Sequence, residues 1–126
     1  MRGLLVLPFV AACSASLPHV PSPTDPRCTD RHIRADRRLT RALRRVPPRY
    51  PPRAYRRGME GWVCVAFTVG VDGQVEQERV VEASPPRVFD ASALASIRRW
   101  QFVRDEADPA PLEDVRVVLR YRRPSG

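Results

Sequence analysis

The sequence has no lysine, only two histidines, His19 and His32, and three cysteines without a Cys-x-x-Cys pair among its 126 residues. The missing lysine carries no functional inference, because arginine supplies the whole cationic complement. The cysteine and histidine shortage is more restrictive. A zinc site needs four ligands at short spacings, and Cys13, Cys28, Cys64 and the two histidines do not provide them. No nucleophile–base–acid set is present, since both histidines lie outside the region able to position them, and this argues against an enzyme. Glu76, Glu78 and Glu82 resemble paired carboxylates, but their spacing more simply gives a solvated strand face. The six glycines form no phosphate-cradling pattern, and no cofactor is implied. A long apolar run is also missing: residues 3–12 are apolar apart from Pro8, well short of the about 20 residues that cross a bilayer.

The charge that is present is unevenly placed. Residues 27–57 hold twelve arginines against Asp30 and Asp36, whereas residues 58–126 hold nine arginines against eleven acids. The net charge of +8 therefore belongs to the N-terminal part. Residues 1–12 read as a signal peptide, and Val10-Ala11-Ala12-Cys13 looks like a bacterial lipobox, in which Cys13 carries the lipid; an ordinary signal peptide is the plainer alternative. Residues 13–28, with Pro18, Pro21, Pro23 and Pro26, read as a disordered, extended tether. Residues 29–46 place Ile33, Leu39, Ala42, Leu43 and Val46 on a stripe among arginines, which predicts a basic amphipathic helix. Such a helix either lies on anionic lipid or docks on the domain with its arginines solvated. Pro47-Pro48 ends it.

Residues 47–123 carry the folded domain. One or two helical turns over 52–57 stop at Gly58. Val63, Val65, Phe67, Val69 and Val71 then alternate with smaller or more polar residues, Asp72-Gly73 suits the φ > 0 positions of a two-residue hairpin turn, and β-branched residues follow. After Ser84-Pro85-Pro86, Phe89 and the N-cap Asp90 open a helix over 91–100, with Phe89 placed to staple onto Leu94. Ala93, Ile97 and Trp100 form the face that covers the hairpin, and Arg98 and Arg99 point away. A charged loop over 103–112 leads to a last alternating strand over 113–123. The fold class is α+β: a three-stranded antiparallel sheet with a helix on one face.

Tyr50-Pro51, Ala54, Gly58, Glu60-Gly61, Val63, Val65, Phe67, Val69, Asp72-Gly73, Val75, Ser84-Pro85, Phe89-Asp90, Ala93-Leu94 and Arg98-Arg99-Trp100-x-Phe102, in this order, resemble the C-terminal domain of the TonB family of periplasmic energy transducers. Glu78 stands where that family has an apolar residue, which predicts a bulge. The resemblance implies partners: TonB-dependent outer-membrane receptors, whose peptides add as a strand to the edge formed by Val115, Arg116, Val117, Val118, Leu119, Arg120 and Tyr121, and an ExbB–ExbD type motor. Arg116 and Arg120 there either favour an acidic peptide or blunt the edge against aggregation. The motor partner is engaged by a spanning helix, which the short run before Cys13 does not supply. The implied role is transport across the outer membrane; the alternative is an envelope lipoprotein scaffold with the same fold. A nucleic-acid binder acting through residues 27–57 is disfavoured by the export signal. The location implied is the periplasm, with a membrane anchor at Cys13; Ser14 after it points to the outer membrane. In that oxidising compartment Cys64, on the face opposite Phe67, either bonds Cys28 or stays a buried thiol.

Overall fold

The computed structural model describes residues 3, 20–28, 42–104, 107 and 110–124. The lipobox and most of the segment expected to be a basic helix lie outside these residues. Seven elements follow in order: β1 (Ala42–Arg44), α1 (Pro52–Arg56), β2 (Gly61–Val69), β3 (Val75–Ser84), α2 (Asp90–Arg98), β4 (Gln101–Phe102) and β5 (Leu112–Tyr121). The main sheet has the order β3-β2-β5, antiparallel throughout, and β1 pairs with β4 in a separate two-stranded ribbon.

Alternation along β2 decides the architecture. Val63, Val65, Phe67 and Val69 point to the face covered by α2, where Ala93, Ile97 and Trp100 meet them together with Phe89 and Phe102. Val115, Val117, Leu119 and Tyr121 of β5 extend the same core. α1 begins with proline at its first position and ends at Gly58 (φ 68°), where Met59 N–H bonds Ala54 O and Gly58 N–H bonds Tyr55 O, the two bonds that close a helix C-terminus.

Four local expectations need correction. The hairpin is wider than a two-residue turn: Gly70 N–H bonds Gln74 O, Gly73 N–H bonds Gly70 O, and Gly73 alone in the loop takes a positive φ (84°), a three-residue loop with a glycine bulge. Asp90 does not cap α2 with its side chain; it stands inside the first turn and accepts the N–H of Arg87, while Phe89 sinks into the core and stacks on Tyr121 at 4.3 Å. The expected helix over 29–46 is not helical at its described end. Ala42–Arg44 is strand, and Val46 is held extended because Pro47 disfavours the helical region and because Trp100 Nε1 and Ser96 Oγ both donate to Val46 O.

The fourth correction concerns the proline-rich segment, expected to be a free tether. Residues 20–28 instead cross the rear of the sheet as a strap. Cys28 is disulfide-bonded to Cys64, and these two residues form a second buried cluster with Trp62 and Val118. Trp62 Nε1 donates to Pro21 O at 2.6 Å, and the Glu82 carboxylate accepts the Thr24 and Asp25 N–H groups. Asp25 pairs with Arg116, and Arg27 with Asp114 at 2.8 Å. Both faces of β2 are consequently buried, a two-sided burial that the alternating sequence does not announce.

The strap sets two expectations. Because the disulfide spans a sequence separation of 36, replacing Cys28 and Cys64 with serine costs on the order of 3–4 kcal/mol, checked by urea denaturation. The N–H donors of Arg27 on Asp25 and of Thr24 on Glu82 hold both carboxyls below their ordinary range, with Arg116 adding to the effect on Asp25. Folded-state values below unfolded ones mean that this stabilisation is present above about pH 4 and is lost as the pH falls through the folded values. Glu82→Gln therefore flattens the acid limb of a stability–pH profile while leaving its neutral limb lower. At the hairpin, a Cβ on Gly73 would lie 2.0 Å from Phe102 O as well as straining φ, so Gly73→Ala lowers stability by at least about 1–3 kcal/mol, read as a drop in Tm.

Candidate functional site

Main-chain pairing is the chemistry that this fold leaves available. β2 is bonded on both sides, and among the described residues no strand pairs with the outer edges of β3 and β5. The two edges differ. In β3 the register against β2 breaks twice, once where Cys64/Val65 face Glu82/Val80 and again where Ala66/Thr68 face Arg79/Glu76, and Gln77 within the second break has φ 54°. These are bulges, each placing an extra residue on β3 and turning its edge away from regular pairing. The second one realises the bulge expected at Glu78, whose half-buried carboxylate forms an ion pair with Arg98. Burial is the largest influence on Glu78 and raises its pKa, but the Arg98 hydrogen bond, the residue's own N–H and the Arg98 charge together outweigh it, so the net shift is downward.

β5 is different over its main length. Residues 115–121 pair with residues 61–67 one for one, without a shift. The irregularity comes before them, between Leu112 and Val115, where Asp114 takes φ 53°. Seven consecutive residues therefore present a regular edge to which no other strand among the described residues is paired.

The edge is held from both faces. Towards the core, Tyr121 stacks on Phe89 and meets Tyr50 edge-on at 5.7 Å, and its hydroxyl donates to Ser92 Oγ at 3.0 Å; burial pushes its phenol pKa up. Towards the rear, Val118 packs with Trp62 and the disulfide. The Arg116 side chain is 9 % exposed and bonds Asp114 Oδ1 at 3.2 Å and Asp25. Its guanidinium is therefore committed to the strap rather than offered outward. Arg120 is exposed and lines a recess of about 210 Å³ with Val20, Pro21 and Glu60 at the end of the strand.

All seven residues expected at the edge, Val115, Arg116, Val117, Val118, Leu119, Arg120 and Tyr121, lie on this one strand. Sequence reasoning missed Asp25 and Asp114, which fix Arg116; Asp25 lies 91 residues away and carries no local signal. Among the described residues there is no cluster of three or more His, Cys, Asp or Glu able to hold a metal, and no helix long and apolar enough to cross a membrane.

Comparison with known proteins agrees with this geometry. The family model described as Gram-negative bacterial TonB protein C-terminal matches residues 46–121. Protein TonB of Pseudomonas aeruginosa is 42% identical over 60 residues, covering 48% of this chain and 18% of the relative. Protein TonB of Yersinia enterocolitica is 32% identical over 95 residues, covering 75% and 32%. The chain thus spans about a third or less of the length of these relatives. Among solved structures, the C-terminal domain of Pseudomonas aeruginosa TonB superposes with a TM-score of 0.56 at 29% identity, covering 68% of this chain and 87% of that one. The TonB2 protein of Vibrio anguillarum gives 0.54 at 27% identity, covering 86% and 99%. With the family match extending over more than half of its length, the chain belongs to the family of Gram-negative bacterial TonB C-terminal domains.

Proposed function

We propose that this protein takes part in TonB-dependent transport across the outer membrane by binding receptor peptides through β-strand addition at residues 115–121. The observation that carries the reading is the regular edge of β5, to which no other strand among the described residues is paired, beside the interrupted edge of β3. An incoming strand finds a straight row of N–H and C=O groups there, with α2 and the strap fixing the strand on either side. Affinity then comes from main-chain bonds and preference from flanking side chains, with Arg120 at the exposed position. The family domain is a non-enzymatic interaction and energy-transduction domain, which fits a site made of backbone rather than of catalytic groups.

A second reading is carried by Val10-Ala11-Ala12-Cys13. Cleavage before Cys13 removes the apolar run and leaves a lipid in its place. The domain then acts in the periplasm as a lipid-anchored protein, on the outer membrane in view of Ser14, and binds its partners as a scaffold without drawing on an ExbB–ExbD type motor. The two readings share the β5 edge and differ in the source of work.

Titrating the oxidised protein with N-terminal peptides of TonB-dependent receptors from the same organism separates strand addition from other modes. Amide shifts are expected to concentrate on residues 115–121, and N-methylation of alternate peptide residues is expected to weaken binding at least about tenfold by removing ladder donors. Unchanged affinity of the methylated peptide would remove strand addition. For the anchor, Cys13→Ser is expected to abolish incorporation of a labelled fatty acid into the protein, read by metabolic labelling.

A further inference from the structure

The chain enters its own domain at a particular end. Val20, Pro21 and Ser22, where the strap begins, line the recess with Glu60, Arg120 and Arg122. Gly61 pairs with Tyr121 there, and Arg123 N–H bonds the Glu60 carboxylate. α1 stands at the same end, since the Arg123 guanidinium lies 5.1 Å from the centre of the Tyr55 ring.

This end is cationic with little to oppose it. Arg53, Arg56, Arg57 and Arg122 are exposed and form no ion pair among the described residues, and residues 42–59 contain no acid. Glu60, an acid lining this end, keeps its charge while its carboxylate accepts the Arg123 N–H. Tyr55, one of two exposed large hydrophobic side chains among the described residues, stands beside Arg53 and Arg56 on α1 and Arg57 at its end, at 42 % exposure. Aromatic rings with a polar tip beside arginines suit a headgroup boundary.

The strap brings that end close to the chain's start. Counted to Ala42 of β1, the path from Cys13 is 29 steps, at most about 100 Å. With the strap in place the distance from Cys13 to Val20 is seven steps, at most about 25 Å.

We propose that this end of the domain, presenting Arg53, Arg56 and Arg57 beside Tyr55 and Arg122 at the recess, rests on the anionic headgroups of a membrane, with the strap's attachment keeping the path from Cys13 short. The role of that short path rests on lipidation at Cys13; the headgroup contact does not, and it is tested without lipid. Receptor binding at the lateral β5 edge is a separate property, so the failure of either leaves the other standing.

The test is flotation of full-length Cys13→Ser protein with vesicles containing about one-third phosphatidylglycerol in phosphatidylcholine, and with phosphatidylcholine alone. The protein is expected to float with the anionic vesicles at about 50 mM salt, to leave them at about 500 mM, and to ignore the neutral ones. Each arginine at an anionic surface is worth about fivefold in partitioning, so Arg53→Gln, Arg56→Gln and Arg57→Gln together are expected to lower it about a hundredfold with thermal unfolding unchanged. A comparison variant replaces Arg31, Arg34, Arg37, Arg38 and Arg41 with glutamine and is expected to lose less. Equal flotation on neutral vesicles, an unaffected triple variant, or a loss confined to the 31–41 variant would overturn the proposal. So would binding to poly-glutamate without binding to vesicles, which would assign the face to a protein partner.

Discussion

β2 has no free side. Its N–H and C=O groups are paired to β3 and β5, its front side chains are under α2, and its rear side chains are under residues 20–28. A small domain with a single sheet usually leaves one sheet face to water. Here a strap made of prolines and polar residues covers that face, and it adheres through a covalent bond, one indole and a few carboxylates rather than through an apolar stripe. The position of every edge group follows from how firmly β2 is held, because β5 inherits its register from β2 residue by residue.

The same strap ties sequence regions of opposite character together. Its two charged residues reach β5, Asp25 to Arg116 and Arg27 to Asp114, so the edge strand is braced from behind by a segment that precedes it by some ninety residues. On the front, the Tyr50–Phe89–Tyr121 cluster braces the other end of the strand. The edge is therefore rigid at both ends before any partner arrives, which lowers the ordering cost of adding a strand.

Much of this architecture was legible in the sequence because it is periodic. The alternation of Val63, Val65, Phe67 and Val69, the helical spacing of Ala93, Ile97 and Trp100, and the alternation through Tyr121 each mark a buried face. Glu78 even marked its own bulge, although its carboxylate stays half-buried against Arg98 instead of turning outward. What escaped was aperiodic or long-range. Ala42 and Leu43 fit a helical stripe, yet β1 pairs with β4, because helical spacing over a few residues is weaker than the constraint from Pro47 and the bonds to Val46 O. The strap has no period at all: its contacts are single atoms of single residues. Arg116 was visible as a strand residue, but its partner Asp25 was not, and so its guanidinium looked available when it is engaged.

The contrast between the two edges also bears on self-association. A sheet with two smooth edges can join copy to copy without limit, each new strand exposing another template. Here the outer edge of β3 is broken at two places while that of β5 is continuous. A strand docked on β5 finds a matching lattice, but no second copy can offer β3 as its complement in register. Endless stacking of copies, β5 of one on β3 of the next, is thereby disfavoured by the two bulges in β3.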